Sequence, residues 1–259
     1  MTRAAGWKDS PFVAAIVPVG LLAIWQLASA AGLLPSQILP APTAVLKAGA
    51  ELIADGELIH HLAVSTGRAL TGLAIGGSIS FLLGLLCGLS PFARRLLDPT
   101  LQMVRTIPHL ALLPLVILWF GIGEQAKILL VAWGIFFPIY LNTYHGVVSV
   151  DPQLIEMGRI YGMDRWTLFR RVIVPGALPS ILVGLRYGLG IMWLTLIVAE
   201  TIAANSGIGY LAIQAREFSQ TDIIVLGLFI YALLGLLCDL LLRVAERRTL
   251  QWRRGLQAS

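Results

Sequence analysis

The stretch EMGRIYGMDRWTLFRRVIVP, residues 156–175, decides how the rest of the chain is interpreted. It carries four arginines, three of them between Arg165 and Arg171, and long apolar runs lie on either side of it. Charged side chains are costly within a bilayer. This segment is therefore expected to leave the membrane between two apolar spans.

The composition is that of an integral membrane protein. Of the 259 residues, 57% are hydrophobic and only 13% are charged, which lies outside the range of soluble globular domains. No polar block is long enough to form a soluble domain, so residues 1–259 are predicted to be one all-α, polytopic membrane domain. Cys87 and Cys238 lie in apolar runs without further ligands at suitable spacing, so no metal site or disulfide framework is expected.

Apolar runs predict six transmembrane helices, because a bilayer core of about 30 Å needs roughly 20 helical residues. The fifth run contains Arg186 and Glu200, so it is either one long helix or a shorter span that begins at Tyr187. The first run could alternatively be a signal peptide that is cleaved near Ala30, but its length favours a transmembrane span. The predicted spans are residues 11–32, 69–90, 106–122, 128–147, 176–204 and 222–242.

The basic residues predict the orientation of these spans. With the amino and carboxyl termini both cytoplasmic, 14 lysines and arginines lie inside and four outside, whereas the acidic residues divide equally. Residues 150–175 then form the longest inner loop. The inner set is Arg3, Lys8, Arg94, Arg95, Arg105, Arg159, Arg165, Arg170, Arg171, Arg243, Arg247, Arg248, Arg253 and Arg254; the outer set is Lys47, Arg68, Lys127 and Arg216.

Glycine spacing and two amphipathic segments add detail to this arrangement. Three glycine pairs four residues apart predict close helix packing, since association in lipid depends on close backbone approach. Residues 43–54 and 210–218 have apolar residues at helical intervals and predict short helices at the outer surface. The glycine pairs are Gly72 and Gly76, Gly84 and Gly88, and Gly184 and Gly188.

The inner loop is predicted to form two short helices joined by a glycine turn. Pro152 suits the first turn of one helix, and Gly162 is placed to end it in a left-handed conformation. Asp164 then caps a second helix, which Pro175 closes. Exposed apolar side chains on such a projection favour a docking surface. The alternatives are a helix on lipid headgroups, with Trp166 at the interface, or a DNA-reading helix-turn-helix, which nothing else supports.

The loop resembles the cytoplasmic EAA loop of bacterial ABC importer permeases. Glu156, Gly162 and Pro175 fall at its spacing, with Met157 replacing the first alanine. Residues 105–128, 137–147 and 189–222 resemble the nitrate, taurine and sulfonate branch, and within it the aliphatic sulfonate permeases. The resemblance extends from about Pro18 to the carboxyl tail. Two further departures from the EAA pattern, Val172 and Val174, conserve side-chain shape.

The resemblance implies a type I importer permease fold in the bacterial inner membrane, with the loop inserted into a groove on an ATP-hydrolysing subunit. It implies as partners a dimer of that subunit, a periplasmic or extracellular substrate-binding protein and a second permease copy. The chain has no G-x-x-x-x-G-K-[ST] phosphate loop, which agrees with ATP binding on the partner; no cofactor and no nucleic acid are expected. The implied ATPase-coupling residues are Glu156, Gly158, Gly162, Trp166, Phe169 and Pro175.

Four residues within the fifth span are candidates for the translocation path. Arg186 is an intramembrane charge and therefore a functional candidate, although a structural role is favoured. Trp193 and Thr195 are further candidates, and Glu200 is expected to pair with Arg68 or to cap the turn that follows. His109 and His145 are expected to be structural residues near cytoplasmic helix ends. The alternatives to an ABC permease are an ATPase-independent secondary transporter and, more remotely, an intramembrane enzyme.

Overall fold

The computed structural model describes residues 11–251, with side chains from residue 16 onward except at residue 203. The regular structure of this part is entirely helical, which confirms the predicted all-α class. The helices are α1 (Pro11–Ala30), α2 (Pro42–Ala54), α3 (Glu57–Leu89), α4 (Pro91–Arg105), α5 (Leu113–Phe120), α6 (Glu124–Val148), α7 (Pro152–Ile160), α8 (Arg165–Leu168), α9 (Val174–Ala203), α10 (Ile208–Glu217) and α11 (Thr221–Thr249), with a 3₁₀ turn at His109–Leu112 and a π turn at Phe169–Ile173.

Helix α6 is the centre of the bundle, and α3 and α9 pack against it through glycine. A Cβ atom on Gly72 would lie 2.5 Å from Val131, and one on Gly88 would lie 2.7 Å from Val147, so both α3 positions require glycine. Gly188 likewise faces Ile139 from α9. The predicted close packing is confirmed for all three glycine pairs, since Gly76, Gly84 and Gly184 also approach α6 backbone atoms.

The order of these contacts shows that α3 and α6 run in parallel, because residue numbers rise together along both helices. The chain between Leu89 and Glu124 must therefore return across the bundle. It does so in two pieces: α4 and the segment His109–Phe120 are bent by 83° relative to each other. The break lies at the start of the predicted span, residues 106–122, where Pro108 lacks an N–H group and disfavours helix at the residue before it. That this segment crosses the membrane stays a prediction.

Two other boundaries differ from the prediction. Helix α3 begins at Glu57 rather than at residue 69, because Arg68 and the polar residues before it are accommodated inside the bundle. Helix α11 continues to Thr249, beyond the predicted end at residue 242. The basic residues of the two tails that entered the orientation count, Arg3, Lys8, Arg253 and Arg254, lie outside the described residues.

Four described helices are long and apolar enough to cross a membrane, and the bent pair makes a fifth candidate. Residues Ile16–Ala30 of α1 form a shorter apolar helix. A count of six spans therefore stays a prediction. Both predicted outer helices are present as α2 and α10, and they pack beside α11 through the cluster Leu52, Leu58 and Leu211.

Candidate functional site

The first helix of the inner loop, α7, begins and ends as its local sequence dictates. The Asp151 side chain accepts a hydrogen bond from the Gln153 N–H at 2.9 Å, and Pro152 occupies the first helical turn, where no N–H donor is required. Gly162 ends the helix with a φ of +75°. The Met163 N–H then donates to the Gly158 carbonyl at 3.0 Å, so the turn closes as predicted.

The second helix, α8, begins at Asp164, which is the predicted N-cap. Its carboxylate accepts from the N–H groups of Trp166 at 3.1 Å and Thr167 at 3.4 Å. The hydroxyl of Thr167 donates to the same carboxylate and, with these N–H groups, lowers the pKa of Asp164 below its usual value. The cap therefore remains ionised well below neutral pH.

The two helices cross at Gly158, which is buried against Leu168. A Cβ atom at Gly158 would lie 2.6 Å from Leu168 Cδ1, so a larger residue there would have to displace the Leu168 side chain. The rest of the loop surface exposes apolar side chains, and the Trp166 ring, 65% exposed, stacks on Phe169 at 5.6 Å. We call this surface the loop face; its exposed members are Leu154, Met157, Ile160, Tyr161 and Trp166, and Glu156 is exposed beside them.

The loop continues without a break into the membrane helix that follows. Helix α8 passes through the π turn Phe169–Ile173 into α9, and residues Arg165–Ile202 form one helix of 38 residues. Pro175 was predicted to close the second loop helix, and this is wrong. The π turn immediately before Pro175 widens the helix where the proline cannot donate a backbone hydrogen bond, so the helix continues.

Arg186 holds α9 against the carboxyl-terminal half of α11. Its Nη2 donates to Glu246 Oε2 at 2.6 Å, and its Nε lies 3.2 Å from Asp239 Oδ1, near enough for ion pairing but not aligned for a hydrogen bond. Arg243 also pairs with Asp239 at 2.7 Å. Because two carboxylates neutralise the guanidinium, Arg186 is engaged in joining two helices, in line with the favoured structural role. Its part in the path stays a prediction.

The other three path candidates face the interior of the chain. Trp193 donates from Nε1 to the sulfur of Cys238 at 3.4 Å. Thr195 is fully buried and contacts His109 Nε2 at 3.1 Å. The expected position of His109 near a cytoplasmic helix end is wrong, because the break after α4 brings its ring between α6 and α9, against Gly134 and Thr195. The path role of these residues stays a prediction.

Glu200 is almost fully buried and pairs with Arg68, as expected, at 2.7 Å. Sequence reasoning missed the residues around this pair. His61, Ser65 and Arg68 recur at helical spacing along α3 and continue the buried glycine stripe, which is the signal that identifies them in retrospect. Lys127, counted among outer residues, is also buried.

Known proteins resemble this chain over most of its length. The family model described as "Binding-protein-dependent transport system inner membrane component" matches residues 80–251. The putative aliphatic sulfonates transport permease protein of Escherichia coli (strain K12) is 59% identical, covering 91% of this chain and 90% of that protein. The Bacillus subtilis (strain 168) protein of the same description is 44% identical, with coverages of 92% and 86%. The taurine transport system permease protein of Escherichia coli (strain K12) is 39% identical, with coverages of 92% and 88%.

Solved structures share the fold at low sequence identity. An amino acid ABC transporter crystallised with histidines superposes with a TM-score of 0.61 at 20% identity, covering 77% of this chain and 97% of that chain. An inward-facing methionine ABC transporter gives a TM-score of 0.52 at 20% identity, covering 73% and 94%. These similarities support the helical architecture described above.

Proposed function

Because the chain belongs to the family of inner membrane components of binding-protein-dependent transport systems, we infer that it is the transmembrane subunit of an ATP-driven importer for aliphatic sulfonates. It is a transport subunit of the inner membrane, and ATP hydrolysis takes place on a partner chain. The observation that carries the substrate class is the 59% identity to a sulfonate permease over 91% of this chain.

Growth of a deletion strain tests the substrate class. A strain that lacks this gene is expected to grow on sulfate but not on an alkanesulfonate as sole sulfur source, and the gene in trans should restore growth. Taurine is the second candidate, supported by the 39% identity to a taurine permease. Failure on taurine alone would favour taurine, failure on nitrate as nitrogen source would favour nitrate, and normal growth on every alkanesulfonate would contradict the proposal.

The loop face is the surface through which the ATP-binding subunit acts on the membrane helices. Its apolar side chains are exposed on a projection, which is typical of a docking surface. The unbroken helix from Arg165 to Ile202 extends over about 57 Å at 1.5 Å per residue, long enough to carry a displacement across a bilayer. Motion of a docked ATPase is therefore carried toward the outer end of α9 along one continuous helix.

The partners of the chain are an ATP-binding subunit and a substrate-binding protein. We place two copies of this chain and two ATP-binding subunits in the complex, with the path between the permeases and both tails in the cytoplasm. ATP is bound by the partner subunit. Purification from membranes is expected to recover the ATP-binding subunit with this chain. Sulfonate uptake by the chain alone, reconstituted without ATPase, would instead support a secondary transporter.

A further inference from the structure

A compact charge cluster lies at the end of the bundle opposite the loop. The guanidinium of Arg68, with a side chain only 3% exposed, bonds Glu200 Oε1 at 2.7 Å and both carboxylate oxygens of Glu124 at 2.5 and 2.6 Å. Lys127 pairs with Glu124 at 3.2 Å. The four charges sum to zero; three of them are buried, whereas Glu124 is exposed, and together they join α3, α6 and α9.

The same cluster holds the start of α10. This helix has Gly207 as its N-cap, with a φ of +114° and no side chain to satisfy the first N–H groups. Side chains from α3 and α9 accept these hydrogen bonds instead. From α3, His61 Nδ1 accepts from the N–H of Gly207 at 3.0 Å, and Ser65 Oγ accepts from the N–H of Ile208 at 2.9 Å. From α9, Glu200 Oε2 accepts from the N–H of Gly209 at 3.0 Å. The Glu200 carboxylate also complements the positive end of the α10 dipole.

Ser65 connects the two parts of this arrangement. Its hydroxyl accepts from α10 and donates to the carboxylate of Glu200 at 2.8 Å, and the side chain is completely buried. Glu200 also lies tightly against the start of α10, since a Cβ atom on Gly207 or Gly209 would collide with it. A displacement of α10 must therefore displace α3 and α9 as well.

The far end of α10 is open to the outside of the bundle. Gln214, Arg216, Glu217 and Phe218 are exposed, and Phe218 is 69% exposed although it is aromatic. A protein that docks on this end of α10 would act through Ser65 and Glu200 on α9. Helix α9 is in turn continuous with α8 and the loop face.

We propose that Ser65 and Glu200 are positioning residues through which a binding protein docked on α10 raises ATP hydrolysis on the subunit bound at the loop face. The proposal rests on the function inferred above and deepens it. Ser65 transmits the displacement because it is the single hydroxyl that bonds both α10 and the carboxylate of α9 among the described residues.

The chain contains a matched control for Ser65. Ser80 lies on the same helix, is equally buried, and donates to carbonyls of its own helix at Gly76 and Gly77. Replacing either serine by alanine removes one buried hydroxyl from α3. Only Ser65→Ala removes one of the hydrogen bonds between α10 and the charge cluster, so a difference between the two variants reports coupling rather than burial.

The test uses the complete complex with its ATP-binding subunit in proteoliposomes. ATP hydrolysis is measured without binding protein and with saturating, substrate-loaded binding protein. Ser65→Ala is expected to keep the basal rate and to lower the stimulation about fivefold, within the usual range of coupling between sites. Ser80→Ala should be stimulated like the unmodified complex. Equal stimulation of the two variants would overturn the inference.

His61 provides a second pair of variants should Ser65→Ala fail to assemble. His61→Ala removes the acceptor for Gly207, whereas His61→Asn keeps an acceptor at a similar position. Loss of stimulation in His61→Ala with recovery in His61→Asn supports the inference, and identical behaviour of the two contradicts it. An unmodified complex that loaded binding protein does not stimulate would refute the proposed function, and the inference with it.

Discussion

At the scale of single residues, Gly162 adopts a conformation that few side chains tolerate. With a φ of +75°, it turns the chain between α7 and α8. A Cβ atom at this position would have no neighbour within 4 Å. The constraint is therefore one of backbone conformation and not of space. An L side chain costs roughly 1–2 kcal/mol in this region, with asparagine tolerated best.

Gly162→Val is expected to uncouple ATP hydrolysis from uptake while the protein still inserts in the membrane. Strain of 1–2 kcal/mol lowers the equilibrium constant for the native turn about 5- to 30-fold, so less sulfonate should be imported per ATP hydrolysed. Proteoliposomes containing the complex give both rates. Gly162→Asn is the control at the same position and should stay near the unmodified ratio; normal coupling in the valine variant would remove the loop turn from the mechanism.

Arg186 offers a second test at this scale, because an anion site and a helix brace respond differently to exchange of charges. Arg186→Glu should lower uptake and the melting temperature by repulsion from Glu246. The double variant Arg186→Glu, Glu246→Arg restores this pair but leaves the new carboxylate beside Asp239, so it is expected to recover part of both. If Arg186 instead binds the sulfonate, the double variant will recover melting temperature but import no better than the single one.

At the scale of elements, the bundle depends on the close approach of α3 to α6. Gly76 faces the backbone of Ala132 so closely that a Cβ atom has no place, whereas a Cβ on the adjacent Gly77 would meet two methyl groups at 3.6 Å. The two glycines are neighbours on one helix with different surroundings. Replacing each of them by alanine separates the effect of packing on stability from the effect of helix propensity.

Gly76→Ala is expected to destabilise the protein in detergent by about 1–3 kcal/mol, the usual effect of overpacking. Gly77→Ala should be neutral or slightly stabilising, since alanine favours helix by about 1 kcal/mol over glycine. Thermal unfolding of the two purified variants measures the difference. Equal melting temperatures would contradict the α3–α6 contact described here.

At the scale of the whole molecule, the parallel packing of α3 and α6 and the antiparallel packing of α9 place the loop and α10 at opposite ends. The proposed orientation puts the loop in the cytoplasm. Tyr161 is 78% exposed on the loop, and Phe218 is 69% exposed after α10. A cysteine at either position would therefore be accessible to a thiol reagent and would show on which side of the membrane that segment lies.

In a background without Cys87 and Cys238, Tyr161→Cys is expected to react with an impermeant maleimide only in opened membranes. Phe218→Cys should react in intact cells. The physical reason is the excess of basic residues on the loop side, which disfavours its translocation. Labelling of Tyr161→Cys in intact cells would reverse the orientation and exclude docking of a cytoplasmic ATPase on the loop.

The sequence predicted the features that depend on neighbouring residues. The caps at Pro152 and Asp164, the turn at Gly162 and the close approach of the glycine pairs follow from local backbone chemistry and spacing. The two loop helices were predicted on this basis. Pro175 was misjudged because a proline usually ends a helix, and the π turn that accommodates it has no clear local signature.

Composition and charge bias by themselves determined that this is an all-α membrane protein with a polar loop between two spans, because hydropathy is a property of each segment. Only the tertiary structure decided that the chain before α6 is bent, that Arg186 braces α11, and that Ser65 bonds a backbone group 143 residues away. These outcomes depend on which helices become neighbours, and partners so distant along the chain leave no pattern in local sequence.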